Sequence, residues 1–292
     1  NAQERQTAFL PPYVWRLTIL LLIGAYHSLY LWSGDILATY ALLGYVLLLF
    51  HKRSDATLLS ASLVCLFAVS GVLSLVQSGW LPADWTQALR GAFAEVGEGE
   101  RRPYRQAIRV MSMLLIGLLA GRRRVLTDGI KNSARVVQVC VWGWTAGLAG
   151  NLVYVWLYHR VDPNVLSWSW IAALTMLAWS GPVLAAAYAA TLIWLTRAPR
   201  WRAILSPLSF VGKAALTNYL LQTVICQALL SGPMLGRFGP VHPPMGLMLT
   251  VVVFAFQIAT SRWWLRRYRF GPMEWLWRSL TYGRLQPMRN VA

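Results

Sequence analysis

The feature that most limits the fold of this sequence is the recurrence, along its whole length, of apolar runs. A transmembrane helix needs about 20 mostly apolar residues. Eight runs approach that length, at 13–31, 35–50, 57–77, 106–121, 136–158, 170–195, 207–230 and 244–265. Of the 292 residues, 57% are hydrophobic and 13% are charged, whereas a soluble domain carries about 25% charged residues. The sequence therefore predicts an all-α, polytopic membrane helix bundle with about eight transmembrane helices.

The basic residues lie in short clusters between these runs, and they determine the predicted topology. The formal net charge is +17, and the cytoplasmic connections of membrane proteins are rich in Lys and Arg. Most of the basic residues fall in the connections at 51–56, 122–135 and 196–206 and in the tail after Arg266. Placing these segments inside puts both termini in the cytoplasm. The outer connections are then 32–34, 78–105, 159–169 and 231–243. A membrane surface explains the charge, so we expect membrane lipids as partners and no nucleic acid.

The composition is continuous, and we expect a single membrane domain over residues 1–292. Its predicted parts are an N-terminal hairpin and third helix with an outer loop (13–105), a C-terminal helical bundle (106–269) and a cytoplasmic interfacial tail (270–292).

The tail is predicted to contain a short amphipathic helix over 270–283 that lies on the inner leaflet. Pro272 suits the first position of a helix. Glu274 precedes Arg278 by four residues, which is the favourable order for an ion pair on a helix. Its apolar side, suited to the headgroup region, would be supplied by Trp275, Leu276, Trp277 and Leu280.

The first candidate site is a pair of polar residues, His27 and Asp35, inside an otherwise apolar stretch. A tight connection containing Gly34 separates them, so an antiparallel hairpin would place both near the outer face. A carboxylate that bonds one imidazole nitrogen sets the tautomer and makes the other nitrogen a better base. Such a pair can remove a proton from a hydroxyl group. The alternative is structural: Asp35 caps the second helix, and His27 hydrogen-bonds to Tyr30 within the bundle.

A second polar patch begins at Ser206. Ser206 and Pro207 resemble an N-cap and a first helical residue, and Lys213 follows about two turns into the helix. Asn218 and Gln222 are four apart, on one helix face at mid-membrane depth. They either form interhelical hydrogen bonds or line a passage for a substrate.

The remaining candidates are a set of cytoplasmic arginines and the isolated cysteines and histidines. Phosphate clamping or contact with lipid headgroups are the two roles open to Arg122, Arg123, Arg124, Arg197, Arg200 and Arg202. Neither the three cysteines nor His51, His159 and His242 have the spacing of a metal site, so we expect no metal. The sequence also lacks the nucleotide-binding and hydrolase motifs, which disfavours ATP-driven transport and metallohydrolysis.

Three stretches together resemble the YeiB family of bacterial membrane proteins, whose C-terminal part is a domain of unknown function (418). They are "HSLYLWSGDILATYALLG" (27–44), "GKAALTNYLLQT" (212–223) and "RFGPMEWLWRSLTYGR" (269–284). Gly271-Pro272, with the Glu-Trp and Trp-Arg pairs that follow, is the most specific part. Family members begin with further membrane helices that carry an Asp-Arg-Gly-type motif, which does not precede residue 13. We therefore expect those N-terminal helices to be missing from the chain.

The family is similar in turn to transmembrane acyltransferases such as heparan-glucosaminide N-acetyltransferase. The resemblance implies a bacterial inner-membrane enzyme that moves an acyl group from cytosolic acyl-CoA to an extracytoplasmic hydroxyl or amine acceptor, such as a glycan. On that basis His27 and Asp35 are the predicted catalytic residues, and Lys213, Arg200 and Arg202 are predicted to bind acyl-CoA. The predicted substrate-binding residues are Tyr40, Asn218, Tyr219 and Gln222.

Two other functions remain open from the sequence. One is a transporter or lipid flippase that uses the same polar path, although no inverted halves or broken helices are visible in the sequence. The other is a non-catalytic membrane scaffold, which predicts a filled core without a pocket. A homo-oligomer is compatible with any of these functions.

Overall fold

A computed structural model of the chain describes residues 10–93, 103–125, 132–162, 165–230 and 242–289. This described part is helical and contains no strand beyond an isolated bridge between Tyr268 and Arg289. The helices are α1 (Leu10–Tyr30), α2 (Leu37–Leu48), α3 (Asp55–Ser78), α4 (Ala83–Phe93), α5 (Pro103–Arg122), α6 (Ser133–Tyr158), α7 (Trp168–Leu195), α8 (Pro199–Leu205), α9 (Leu208–Lys213), α10 (Ala215–Leu230), α11 (Pro243–Leu265) and α12 (Pro272–Tyr282).

The predicted all-α membrane bundle is confirmed. Within the described ranges, four helices are long and apolar enough to cross a bilayer, namely α3, α6, α7 and α11. The count of eight membrane segments stays a prediction. The outer connections predicted at 78–105 and 231–243 fall partly outside the described residues.

The chain separates into two compact units. The first unit comprises Asn1–Tyr45 and Pro199–Ala292, and the second comprises Val46–Ala198. The candidate site lies within the first unit.

In the second unit, small residues allow α6 and α7 to pack closely. A Cβ on Gly143 would lie 2.8 Å from the Cβ of Ala187, and one on Gly147 would lie 2.7 Å from the Cγ of Leu184. Small residues at such spacing are typical of helix pairs in membranes, because they let the backbones approach. Across the same pair, Asn151 donates to the hydroxyl of Ser180 at 3.0 Å.

Gly147→Leu is expected to destabilise the protein by about 1–3 kcal/mol, the usual cost of overpacking a well-packed interface. The matched control is Gly117→Leu on α5, where an added Cβ would meet no atom within 4 Å. The measurement is the thermal unfolding midpoint of the purified protein in detergent. Equal midpoints for the two variants would contradict the close packing of α6 and α7.

Two arginines at the end of α5 have structural partners in the second unit. Arg122 donates to the backbone carbonyls of Phe50 at 3.1 Å and Arg53 at 2.6 Å, and also to that of His51. Arg123 pairs with Asp55 at 2.9 Å. These guanidinium groups therefore hold the chain that follows α2.

In the first unit, α1 and α2 form an antiparallel hairpin. A Cβ on Gly24 would collide with the backbone nitrogen of Ala38, and one on Gly44 would lie 2.7 Å from Leu17. The two glycines thus let the helices approach at both ends of α2. This close approach places the end of α1 against the start of α2, where His27 and Asp35 lie.

The prediction of one continuous helix over 207–230 is wrong. The backbone leaves the helical conformation at Ala214, with φ −114° and ψ 37°, so that α9 ends and α10 begins there. The predicted N-cap at Ser206 is also wrong, because its hydroxyl donates back to the carbonyl of Ala203 at 2.9 Å. Pro207 precedes α9 without a side-chain cap. A broken helix, which was not visible in the sequence, is therefore present.

The short C-terminal helix is present as α12, with Pro272 at its first position and Gly283 ending it at φ +61°. The predicted pairing of Glu274 with Arg278 is wrong. The guanidinium of Arg278 lies 4.8 Å from the ring centre of Phe270, and the Glu274 carboxylate is bonded to α10. The buried face of α12 is its polar one, while Leu280 and other apolar side chains are exposed.

Two indole groups dock α12 on the beginning of α1. Trp15 donates to the carbonyl of Leu280 at 2.9 Å, and Trp277 donates to the carbonyl of Arg16 at 2.9 Å. The guanidinium of Arg16 also lies 4.7 Å from the ring centre of Trp277. The C-terminal helix is thus part of the first unit's packing.

Candidate functional site

The centre of the candidate site is the pair of His27 and Asp35. His27 lies in the last turn of α1, and Asp35 lies two residues before α2. Nδ1 of His27 is 2.8 Å from Oδ1 of Asp35, and both side chains are 1% exposed. The other oxygen, Oδ2, accepts a hydrogen bond from the backbone N–H of Ala38 at 2.9 Å. The two roles that the sequence left as alternatives, helix capping and orientation of His27, are both performed by this carboxylate.

A third residue, Tyr219 of α10, completes the cluster. Its hydroxyl donates to Oδ1 of Asp35 at 3.1 Å, and the backbone N–H of Ile36 is directed to the same hydroxyl at 3.4 Å. The ring centres of Tyr219 and His27 are 5.3 Å apart. The two partners Asp35 and Tyr219 are 184 residues apart in sequence, so no local pattern indicated the contact.

The second nitrogen of the His27 ring, Nε2, is buried and has no hydrogen-bond partner among the described residues. A carboxylate only accepts hydrogen bonds, so the Asp35 contact assigns the proton of a neutral ring to Nδ1. Nε2 then carries a lone pair. Buried polar atoms are normally paired, and an unpaired basic nitrogen in this position is able to accept a proton from a substrate.

Two cavities adjoin the cluster. The first, called here the Lys213 cavity, has a volume of about 380 Å³, and the second, the Gln222 cavity, about 500 Å³. The Lys213 cavity is lined by Leu20, Leu37, Gly212, Lys213, Ala215, Leu216, Tyr219, Glu274 and Trp277. The Gln222 cavity is lined by Trp32, Ile36, Tyr219, Gln222, Thr223, Cys226 and Gln227. Tyr219 lines both cavities, and its ring is also in contact with the ring of His27.

The break at Ala214 exposes the first backbone N–H groups of α10, and Glu274 satisfies them from α12. Its Oε1 accepts from Leu216 N at 2.6 Å and from Thr217 N at 3.1 Å. Its Oε2 accepts from the Thr217 hydroxyl at 2.5 Å. Helix N-termini favour such a carboxylate because of their orphan donors and positive dipole. A Cβ on Gly271 would collide with Oε2 of Glu274, so the bound carboxylate leaves no room for a side chain at that position.

Asn218 lies apart from the two cavities. Its side chain donates to the hydroxyl of Ser261 on α11 at 2.9 Å, and its backbone carbonyl accepts from the side chain of Gln257 at 2.8 Å. It lines a third cavity of about 300 Å³ that shares no residue with the other two. The structure thus places Asn218 in an interhelical hydrogen-bond network, whereas Gln222 lines the Gln222 cavity with Tyr219.

The remaining predicted site residues are spread over the unit. Lys213 is exposed and lines the cavity named after it. Arg200 and Arg202 are exposed on α8 and line none of these three cavities. Tyr40 is 40% exposed on α2 and also lines none of them. Across the described ranges, His, Cys, Asp and Glu side chains form no group of three that could hold a metal ion.

The fold and the site together define a class: a polytopic helical membrane protein with a buried His–Asp pair that a half-buried tyrosine contacts. Residues 120–284 match the family described as "Protein of unknown function (DUF418)". The chain is 34% identical to the uncharacterized protein YxaH of Bacillus subtilis, over 99% of this chain and 76% of that protein. It is 30% identical to the uncharacterized protein YeiB of Escherichia coli, over 91% of this chain and 74% of that protein. The chain therefore belongs to the DUF418 family. No solved structure matches it.

Proposed function

We propose that the protein is a membrane-embedded acyltransferase that moves an acyl group from acyl-CoA to a hydroxyl or amine acceptor. The observation that carries the proposal is the buried pair in which Asp35 holds Nδ1 of His27 and leaves Nε2 without a partner. An ionisable pair at membrane depth is costly and is by default a sign of function. The resemblance to transmembrane acyltransferases supports the same reaction.

In this reaction His27 acts as the general base. Nε2 removes the proton of the acceptor hydroxyl while the hydroxyl oxygen attacks the thioester carbonyl carbon. A C–O bond forms, the C–S bond breaks, and the thiolate of CoA leaves with the proton that His27 carried. Asp35 keeps the ring in the required tautomer and stabilises the transient imidazolium. The products are the acyl ester and free CoA, and His27 returns to its neutral form.

The Lys213 cavity is suited to the acyl donor. Its walls carry apolar side chains from α1, α2 and α10, and Lys213 offers a positive charge for a phosphate group. Arg200 and Arg202, on the neighbouring α8, would contact the more distant phosphates. The acceptor would enter through the Gln222 cavity, where two amide side chains and the Thr223 hydroxyl offer hydrogen bonds. A glycan is one acceptor with matching hydroxyl groups.

The orientation that fits this reaction is the one expected from the basic clusters. The Lys213 cavity and α12 would face the cytoplasm of a bacterium, with both ends of this chain on that side of the inner membrane. The exposed Leu276, Leu280 and Tyr282 of α12 would contact the lipid of the inner leaflet.

The test is a direct assay of transfer in proteoliposomes. The protein is reconstituted with acyl-CoA outside and a hydroxyl acceptor on either side, and both free thiol and acylated acceptor are measured. Release of CoA in equal amount to acylated acceptor is the expected result. Movement of the acceptor or of a lipid with no covalent change would replace this proposal with transport.

Transport is the second candidate because of the break in the helix at Ala214. Transporters often use discontinuous helices beside their binding sites, and α9 and α10 form such a pair next to the Lys213 cavity. The N-terminus of α10 is, however, occupied by the Glu274 carboxylate, so it is not open to an anionic substrate. A non-catalytic membrane scaffold would have a filled core, and the cavities lined by Tyr219 disfavour it.

A further inference from the structure

Tyr219 lines two cavities that otherwise share no lining residue. The boundary between them also runs between two consecutive residues, because Ile36 lines the Gln222 cavity and Leu37 lines the Lys213 cavity. The two cavities therefore adjoin neighbouring residues of the α1–α2 hairpin, beside Asp35 and Ile36, which the Tyr219 hydroxyl contacts. Tyr219 is the one residue that lines both cavities.

The Tyr219 side chain is held by its hydroxyl. The hydroxyl donates to Asp35 at 3.1 Å, and Ile36 N approaches the same oxygen at 3.4 Å. Both partners lie just before α2, while Tyr219 lies on α10, so the hydroxyl links α10 to the α1–α2 connection. The ring is only half-buried, and a tyrosine ring that loses such a tether is free to adopt another staggered rotamer.

We propose that the two cavities are halves of one passage through the first unit, that Tyr219 is its gate, and that Asp35 is the latch. In the closed form the ring separates the cavities and covers His27. Movement of the ring joins the two volumes and uncovers Nε2 of His27. The walls identify the class of molecule that passes: an amphiphile whose anionic group meets Lys213 and whose polar end meets the amides of Gln222 and Gln227.

The passage needs no acyl transfer, so it is testable separately from the function proposed above. The chain supplies its own reporter, since Cys226 lines the Gln222 cavity. The other two cysteines, Cys65 and Cys140, lie in the second unit and are changed to serine. The full chain is placed in membrane vesicles of either orientation. A charged, membrane-impermeant methanethiosulfonate reagent is added, and the unreacted thiol is then counted after denaturation.

In the background protein, Cys226 is expected to react from only one side of the membrane. Tyr219→Ala is expected to make it react from the other side as well, at a rate raised about tenfold or more. Tyr219→Phe keeps the ring and removes the latch, so a rise of about 3- to 10-fold is expected, the factor that loss of one hydrogen bond implies. The matched control is Tyr26→Ala, because Tyr26 is 63% exposed on α1 and lines neither cavity.

Three outcomes would overturn the proposal. The first is reaction of Cys226 from both sides at equal rates before Tyr219 is changed. The second is one-sided labelling in a Tyr219→Ala protein that still elutes as a single folded species. The third is failure of Cys226 and of a second reporter in the same wall, Gln222→Cys, to react from either side. None of these results depends on whether acyl transfer occurs.

Discussion

His27→Ala is expected to lower the rate of acyl transfer by about 10²–10⁴-fold, the usual contribution of a positioned general base. Nε2 is buried and has no hydrogen-bond partner among the described residues, and alanine removes it together with the ring that Asp35 orients. The loss is expected in kcat, because the base acts on the proton of the bound acceptor. The measurement is the initial rate of CoA release against acceptor concentration in proteoliposomes.

Asp35→Asn separates the two roles of the carboxylate. Asparagine is as good an N-cap as aspartate, so the bond to Ala38 and the thermal stability should be retained. The charge that stabilises the imidazolium is lost, and the rate should fall strongly. Asp35→Ala should reduce both rate and stability. His159→Ala is the matched control, because His159 is exposed at the end of α6. Undiminished turnover in both His27→Ala and Asp35→Asn would remove this pair from the mechanism.

The second large effect concerns stability. Glu274→Ala is expected to destabilise the protein by about 2–4 kcal/mol, because each buried donor left without a partner costs about 1–3 kcal/mol. Glu274 is 9% exposed, and its carboxylate accepts the N–H groups of Leu216 and Thr217 and the Thr217 hydroxyl. The measurement is the thermal unfolding midpoint in detergent, followed by tryptophan fluorescence.

Two glycines provide the comparison for this prediction. Gly271→Ala should reproduce much of the loss, because its Cβ would occupy the space of the Glu274 carboxylate. Gly212→Ala lies in the neighbouring α9 and would meet no atom within 4 Å, so its midpoint should be close to that of the original protein. A Glu274→Ala protein as stable as Gly212→Ala would show that α10 needs no cap from α12.

The features predicted correctly depend on residues close in sequence. The apolar runs predicted the helical membrane bundle, and the short connection at Gly34 predicted the hairpin. Pro272 marked the first position of α12. His27 and Asp35 are eight residues apart, and a hairpin between them leaves little choice but contact. In each case the residues that support the prediction lie within a single helix or turn.

The features that the sequence missed depend on distant partners. Glu274 was paired with Arg278 on its own helix, but the orphan N–H groups of α10 bind it more favourably. The break at Ala214 carries no proline or glycine at that position. The break is stabilised by the carboxylate of Glu274, 58 residues beyond Leu216. Local helix propensities cannot predict such a distant partner.

The order of residues along the chain was enough to predict a helical membrane protein and a histidine and an aspartate that meet at one hairpin. The reason is that apolar length and short connections act locally, through the cost of placing backbone and charge in lipid. Packing between distant segments brings Tyr219 to that pair and places it in the lining of two cavities. Packing likewise brings Glu274 of α12 to the N-terminus of α10, where it caps the broken helix. These features arise from side chains brought together by packing, because a buried donor or acceptor selects its partner by position in space.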